Sequence, residues 1–150
     1  MALQPEPKPS TASSSARLIP VPAPRVDLVW PYLVGFIDAA VKATASVQSV
    51  ERIREKIDAR DMQLWAIRRG SRTVGAVVTE IYDTAAGKTC GVPYLGGTGM
   101  VDWLHLLDQI EAWAKANGCV RAESVCRVGW ERALKRFGWE KITITVAKAL

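Results

Sequence analysis

The stretch CGVPYLGGTGMVDWLHLLDQIEAWAKANGCVRAESVCRVGWERALKRFGW, residues 90–139, decides the fold of this 150-residue chain. Its pattern predicts a strand over 89–95, a glycine-rich turn, a long helix over 101–117, a strand over 119–125 and a short helix over 129–136. A strand that ends in glycines and opens a helix can form an anion site, because glycine lets the backbone approach a ligand and the first helical amides point toward negative charge. The function of the chain therefore depends on whether this site operates.

Upstream of this stretch, the sequence predicts two helices followed by two strands. Apolar residues at helical spacing indicate helices over 27–44 and 49–59, and Ser49 can cap the second. Apolar runs predict strands over 63–69 and 73–82, and Pro93 predicts a break or bulge in the third strand. The short turns favour antiparallel pairing of these three strands. The helix that follows them favours a parallel neighbour.

The two ends of the chain carry separate predictions. Residues 1–24 are rich in Pro, Ser and Ala, which is typical of a tail that is disordered or that becomes ordered on a partner. Within it, residues 17–21 can add a first edge strand, because an edge tolerates proline. At the other end, alternating Ile and Thr predict a final strand over 141–148. Residues 25–150 are predicted to form one domain.

Composition limits the classes of function. The chain has 49% hydrophobic residues and a formal net charge of +5, which favours acidic partners or a basic surface without a specific partner. Three cysteines and one histidine, His105, give no metal-ligand spacing, so no metal site is predicted, and His105 is expected on the solvent side of the long helix. Free thiols and the lack of a long apolar run predict a cytoplasmic protein without membrane contact.

The order of these elements, with Gly138-Trp139 after the short helix, resembles the GNAT acetyltransferase superfamily over residues 26–150. The resemblance implies an α/β (α+β) fold with a mixed, mostly antiparallel central sheet and helices on both faces. It also implies an acetyl-CoA pyrophosphate loop patterned [Arg/Gln]-x-x-Gly-x-[Gly/Ala], which residues 94–99 match except that Tyr94 replaces Arg or Gln. The candidate cofactor-binding residues are Gly97, Thr98, Gly99, Met100 and Val101.

A second GNAT motif, Asn-x-x-Ala-x-x-x-Tyr-x-x-x-Gly-Phe, aligns with departures. Arg127 stands at the Asn position, Trp130 at the Ala position and Leu134 at the Tyr position. In the family this Tyr serves as general acid for the departing thiolate, and leucine has no proton to donate. Trp130 is bulky where the pantetheine arm of acetyl-CoA would pass. The alternative is that Trp130 and Trp139 are core aromatics.

A general base is harder to assign from the sequence. Glu80, on the second of the three strands, is the candidate catalytic residue, because carboxylates in that region serve some GNAT enzymes. Asp83 is a weaker candidate. The alternative for Glu80 is a structural role or simple exposure at the end of a strand.

Five short stretches are also similar to GNAT-like proteins encoded among bacteriophage structural genes: Leu-Trp (64–65), Val-Thr-Glu (78–80), Leu-Gly-Gly (95–97), Ala-Trp-Ala-Lys-Ala-Asn-Gly-Cys (112–119) and Arg-Val-Gly-Trp-Glu-Arg-Ala-Leu (127–134). This similarity implies a virion or assembly role, with other virion proteins bound through the tail and a location in the host cytosol or the virion. We therefore predict a catalytically degenerate GNAT-fold binding module with no cofactor.

Two alternatives to that module stay open. The first is an active acyl-CoA-dependent N-acetyltransferase, which would use acetyl-CoA or CoA. The second is nucleic-acid binding through a basic cluster, without sequence specificity, because a cluster of cations neutralises phosphates but reads no bases. The members of this cluster are Arg121, Arg127, Arg132, Lys135 and Arg136.

Overall fold

The computed structural model describes residues 15–150, so the tail prediction for residues 1–14 lies outside the described residues. The helices are α1 (Val26–Ala43), α2 (Val50–Asp58), α3 (Met100–Trp103), α4 (Leu107–Ala116) and α5 (Val128–Leu134). The strands are β1 (Arg17–Val21), β2 (Gln63–Arg69), β3 (Arg72–Thr84), β4 (Gly87–Gly97) and β5 (Arg121–Glu123). Short 3-10 turns precede α1, join α3 to α4 and follow α5.

The five strands form one sheet in the order β1-β2-β3-β4-β5. Neighbours from β1 to β4 are antiparallel, and β5 runs parallel to β4 after the α3–α4 connection. The predicted mixed, mostly antiparallel sheet is therefore confirmed, as are the antiparallel and parallel neighbours deduced from connection length. The optional edge strand is also present as β1, so the ordered fold includes part of the range 1–24 that was assigned to the tail.

Side chains alternate across the sheet and separate two apolar layers. Leu64 and Ala66 of β2 pack with α1 and α2, whereas Trp65 and Ile67 pack with α3, α4 and α5. We call these two sides the α1 face and the α4 face. Alternate side chains of a strand point to opposite faces, so burial on both sides requires the continuous apolar runs that the sequence shows.

Strand β4 contains the irregularity that Pro93 predicts. Val78 of β3 pairs with Tyr94, but Glu80 pairs with Gly91, so β4 carries one residue more than β3 between these pairs. An extra residue of this kind is a β-bulge, and it shifts the alternation of side chains. Cys90 and Val92 accordingly pack on the α4 face, whereas Tyr94 packs on the α1 face.

The long helix predicted over 101–117 is wrong as a single helix. The chain forms α3, a 3-10 turn over Leu104–Leu106 and then α4. The break lies at Trp103, whose backbone leaves the helical region at φ −131° and ψ −2°. Its indole N–H donates a hydrogen bond back to the carbonyl oxygen of Thr98. This contact ties α3 to the loop before it, and α4 starts as a separate helix.

The final strand predicted over 141–148 is also wrong for the single chain. Residues 140–150 form no strand and are exposed. The alternation of Ile and Thr is a local property, but a strand also needs a partner edge, and none of the strands described above pairs with this segment. The predicted strand over 119–125 likewise shortens to the three residues of β5.

Candidate functional site

A cleft opens where β4 and β5 separate. The two strands pair only from Thr89–Arg121 to Gly91–Glu123. Beyond these pairs lies Pro93, which has no N–H to offer a neighbouring strand. The cleft encloses about 280 Å³ of empty space, part of it open to solvent, and is lined by Ala40, Ala43, Thr44, Pro93, Leu95, Ser124, Val125, Cys126, Arg127 and Trp130.

The residues aligned with the second GNAT motif lie on or behind one wall of this cleft. Trp130, 8% exposed, lines the cleft, and its ring centroid lies 5.9 Å from that of Trp103. Arg127 precedes α5 and lines the cleft mouth. Leu134 is buried in the core of the α4 face. The motif has a proton donor at this position, and the leucine side chain has no proton to donate.

The candidate phosphate loop over 97–101 joins β4 to α3. Gly99 adopts φ +67° just before the helix, a left-handed conformation that glycine reaches without strain. The amide of Thr98 donates to the carbonyl of Val74 at 2.8 Å, so the amides left for a ligand are those of Gly99, Met100 and Val101. Because α3 has only four residues, it supplies a weak dipole.

Close packing explains why Gly97 has no side chain. A Cβ at Gly97 would lie 2.5 Å from the carbonyl oxygen of Val74, 2.8 Å from the Cα of Gly75 and 2.9 Å from the ring of Trp103. At Gly99 the nearest atom to a Cβ is a carboxylate oxygen of Asp102, at 3.6 Å. Gly97 is therefore required by the fold, whereas Gly99 is the glycine that shapes the loop.

One ion pair lies beside the loop. A carboxylate oxygen of Asp102, in α3, is 2.9 Å from the guanidinium Nη2 of Arg69 at the end of β2. Nε of Arg69 is buried and has no hydrogen-bond partner among residues 15–150. A carboxylate in the first helical turn repels an incoming anion, and the guanidinium beside it offsets part of that charge.

Tyr94 does not take part in the loop. Its side chain is 5% exposed and packs among α1 and α2 residues, where its hydroxyl shares a 2.7 Å hydrogen bond with the hydroxyl of Ser46. The bulge turns Tyr94 onto the α1 face. The position that the motif gives to Arg or Gln therefore has a structural role here.

Glu80 lies in a row of residues across three strands. It pairs with Gly91 of β4, which in turn pairs with Glu123 of β5. Gly91 leaves space in the row, and the ring of Tyr82 fills it, at 2.8 Å from where a Cβ of Gly91 would lie. A carboxylate oxygen of Glu80 is 3.9 Å from Nζ of Lys56 in α2, so the row is on the α1 face.

Hydrogen bonds and burial set the protonation of this region. The Tyr82 hydroxyl donates to Glu123 at 2.9 Å, and burial together with this carboxylate raises the pKa of Tyr82 to about 12. Burial and the charge of Glu131 raise the pKa of the Cys126 thiol. Both groups, the Tyr82 hydroxyl and the Cys126 thiol, keep their protons near neutral pH.

The Ser124 hydroxyl, which lines the cleft, donates a hydrogen bond to the carbonyl oxygen of Val92 at 2.7 Å.

Sequence reasoning did not identify Tyr82, Glu123, Ser124 or Cys126 as site residues. The available signal was Pro93, since a proline inside a strand ends the pairing on one side and exposes what lies opposite. Asp83 is exposed beyond the row, near the end of β3, and His105 is exposed next to α4 as expected.

Most of the predicted basic cluster lies around one short helix. Arg127, Arg132, Lys135 and Arg136 are exposed on and around α5, and Arg121 pairs with Glu123 at 3.0 Å. Among residues 15–150, no group of three His, Cys, Asp or Glu side chains lies close enough to hold a metal ion. No helix in that part of the chain is long and apolar enough to cross a bilayer.

Comparison with solved structures identifies the fold. An aminoglycoside acetyltransferase from an uncultured soil metagenomic sample superposes with a TM-score of 0.66 at 9% identity, over 91% of this chain and 97% of that chain. A GCN5-related N-acetyltransferase from Ralstonia eutropha JMP134 gives 0.66 at 12% identity, over 89% and 98%. A predicted acetyltransferase from Clostridium acetobutylicum, solved with acetyl-CoA, gives 0.65 at 10% identity, over 89% and 96%.

No family model and no curated protein matches the sequence. The three solved structures are described as acetyltransferases, and none is described as a virion protein. Identities this low carry information on fold alone, and the superposed length includes nearly the whole of each structure. The chain therefore has the fold of the GNAT acetyltransferases.

Proposed function

We propose that this chain is an acyl-CoA-dependent N-acyltransferase whose thioester enters the cleft between β4 and β5. The separation of these two parallel strands at Pro93 is the observation that carries the proposal, since the cleft it opens is lined from both faces of the sheet and begins beyond Gly91, the residue that pairs with Glu80. The solved neighbour that contains acetyl-CoA supports the choice of cofactor.

The residues present fit a CoA thioester in part. Leu95 and Trp130 offer apolar walls for a pantetheine arm, and the amides of Gly99, Met100 and Val101 offer donors for a phosphate. Arg127 adds a cation at the cleft mouth. Trp130 narrows the cleft, so a ligand has to displace its indole, and close-packed interiors resist such movement.

Glu80 is the proposed base. Acyl transfer forms a C–N bond and breaks the C–S bond of the thioester, while the attacking ammonium gives up protons and the thiolate takes one. The Glu80 carboxylate accepts a proton from the amine. Its position on the α1 face, in the row with Gly91, places it on the side from which Ala40 and Thr44 of the α1 region line the cleft.

Cys126 is the proposed acid in place of a tyrosine. Leu134 supplies no proton, and Cys126 is the one uncharged lining residue with a titratable proton. Its raised pKa keeps the thiol protonated near neutral pH, as a donor to a departing thiolate requires. Transfer from a thiol to a thiolate is close to thermoneutral, so the expected gain from this group is modest.

Calorimetry with CoA and acetyl-CoA, followed by a thiol-release assay with a panel of amines, tests the proposal. We expect binding of acetyl-CoA and amine-dependent thiol release. Glu80→Gln should lower the rate by about a hundredfold or more, whereas the matched control Asp83→Asn, an exposed residue on the same strand, should not change it. Absence of binding, or equal effects of the two variants, would overturn the assignment.

A second candidate, a CoA-binding or assembly module without turnover, is favoured by the buried Leu134 and by Trp130 in the cleft. It predicts binding without thiol release for every amine, and this result would separate it from the enzyme. The virion role, the partner proteins held through residues 1–24 and the cytosolic location belong to this candidate. They stay predictions, to be tested by the neighbouring genes and by incorporation of the protein into particles.

A further inference from the structure

Four arginines lie together at the end of the sheet that carries the β2–β3 hairpin. Arg17 of β1 pairs with Arg68 of β2, and Arg69 of β2 pairs with Arg72 of β3 across the Gly70-Ser71 turn. Paired residues of antiparallel strands have neighbouring side chains on one face, and like charges directly opposite each other destabilise the sheet. Two such pairs at one end of the molecule form an arrangement that a bound anion would stabilise.

The two pairs lie on opposite faces of the sheet. Arg69 contacts Asp102 of α3, so it lies on the α4 face together with Arg72. Arg68, one residue earlier, lies with Arg17 on the α1 face. Asp102 makes the one ion pair that these four arginines form among residues 15–150. Arg17 and Arg72 are exposed, and no carboxylate of the same residues pairs with either.

The pair on the α4 face borders the 97–101 loop. One carboxylate oxygen of Asp102 is 2.9 Å from Nη2 of Arg69 and 3.6 Å from where a Cβ of Gly99 would lie. The carboxylate is therefore an oxyanion held between the guanidinium and the loop. Nε of Arg69 is buried and has no hydrogen-bond partner among the described residues. A guanidinium has five N–H donors, so this carboxylate leaves part of its capacity unused.

The strand and the helix that the loop joins supply no cation near it. The one cation of β4, Lys88, lies at the other end of that strand, and α3 contains none. The positive charge available to an anion at the loop therefore comes from the neighbouring hairpin, through Arg69 and Arg72.

We propose that Arg69 and Arg72 form a phosphate site beside the 97–101 loop, and that the Asp102 carboxylate occupies part of this site until a phosphate replaces it. The Asp102 side chain is 58% exposed, and an exposed ion pair contributes little to stability, so the carboxylate is readily exchanged. Phosphate oxygens accept paired hydrogen bonds from guanidinium groups. The site consists of side chains of the hairpin and does not depend on the dipole of the four-residue α3.

The inference deepens the proposed function, on which it rests for the source of the phosphate. CoA carries a diphosphate and a phosphate monoester on its ribose, and dephospho-CoA lacks only the monoester. Inorganic pyrophosphate represents the diphosphate alone. If substitution of the arginines weakens the binding of both cofactors, they bind the diphosphate. If it weakens the binding of CoA alone, they bind the monoester.

Calorimetry of the full chain at low ionic strength, with CoA, dephospho-CoA and inorganic pyrophosphate, tests the site. Arg69→Gln and Arg72→Gln should each weaken the binding of CoA by about tenfold, because each removes a charged donor to the phosphate. Asp102→Asn should tighten it severalfold, because it removes a competing negative charge. The matched control is Arg17→Gln, which removes one exposed charge at the same end of the sheet but on the opposite face, and should have little effect.

The variant at Arg72 keeps the test independent of folding. Arg72 is exposed and makes no ion pair within residues 15–150, so Arg72→Gln should keep the melting temperature of the wild type even where Arg69→Gln lowers it. Equal effects of Arg72→Gln and Arg17→Gln would show that net charge alone attracts the ligand, and would overturn the site. Absence of binding of all three ligands would also overturn it. Unchanged affinity in Asp102→Asn would refute the exchange with the carboxylate.

The same variants separate this inference from the acyltransferase proposal. Binding of pyrophosphate or CoA that depends on Arg72, without thiol release from acetyl-CoA for any amine, would support the phosphate site and refute the enzyme. Amine-dependent thiol release with a KM for acetyl-CoA that Arg69→Gln and Arg72→Gln leave unchanged would support the enzyme and refute the phosphate site.

Discussion

The indole N–H of Trp103 donates a 2.7 Å hydrogen bond to the carbonyl oxygen of Thr98. This bond joins a buried residue of the α4-face core to the middle of the candidate phosphate loop. Trp103 is 1% exposed, so the loop is anchored by a side chain that cannot move without disturbing the core. The conformation of the loop is therefore coupled to the stability of the domain.

Trp103→Phe should lower the free energy of unfolding by more than Trp139→Phe does. Both changes remove part of an indole. Nε1 of Trp139 has no hydrogen-bond partner among the described residues, whereas Nε1 of Trp103 donates a hydrogen bond to the carbonyl oxygen of Thr98. The lost bond accounts for about 1–2 kcal/mol of the expected difference. Urea denaturation followed by circular dichroism measures it, and equal losses would show that the bond contributes nothing.

Gly97→Ala should destabilise the fold by about 1–3 kcal/mol, because its Cβ would overlap β3 and the ring of Trp103. Gly35→Ala is the matched control. Nothing lies within 4 Å of a Cβ at Gly35 in α1, so that variant should be neutral or slightly stabilising. Thermal denaturation of the two variants gives the comparison, and a tolerated alanine at position 97 would contradict the packing argument.

Stability should fall as the pH rises from about 10 to 12, in part through Tyr82. The pKa of Tyr82 is raised to about 12 from an ordinary 10.0, so between these values the unfolded chain loses a proton that the folded chain keeps. Tyr82→Phe removes this contribution and should flatten the dependence. Tyr32→Phe, at an exposed position in α1, should not. Denaturation at pH 9, 10 and 11 checks the sign, and parallel profiles for the wild type and Tyr82→Phe would refute it.

Thiol reactivity should separate the three cysteines. Cys90 and Cys119 are buried, and burial raises the pKa of Cys90 to about 12, whereas Cys126 is half-buried at the cleft. A disulfide reagent at pH 8 should react first with Cys126, and with the other two only after unfolding. Cys126→Ser should abolish the native phase. Rapid reaction of two or more thiols in the folded protein would show that Cys90 or Cys119 is accessible to the reagent.

Local patterns were enough to predict most of the elements. The continuous apolar run Leu64–Ile67 gave β2 with its observed bounds, and the Ser49 cap was confirmed by the hydrogen bond that its hydroxyl accepts from the amide of Arg52. Residues 141–148 have an equally clear alternation and form no strand, because pairing depends on an edge elsewhere in the chain. Pattern identifies a segment that can be a strand, and topology decides whether it is one.

The candidate site was harder to predict for a related reason. Gly97 and Gly99 match the same motif, but only the atoms around them show that packing requires the first and the turn requires the second. Tyr94 fills a motif position and yet lies on the opposite side of the sheet from the one that simple alternation from Val92 would give. A motif alignment assumes that successive residues of a strand alternate regularly between the two faces of the sheet, and the bulge in β4 interrupts that alternation.

The bulge in β4 marks the position where this strand can lose one residue without changing which side chains face each apolar layer. It acts as a phase shift, since residues before it and after it alternate out of step, so Cys90 and Val92 share a face with Leu95 instead of with Tyr94. Deleting the extra residue at Pro93 would restore regular alternation and leave Val92 on the α4 face, Tyr94 on the α1 face and Leu95 on the α4 face. A one-residue deletion is therefore compatible with both apolar layers only at the bulge, because elsewhere in β4 it would move the residues on one side of it to the opposite layer.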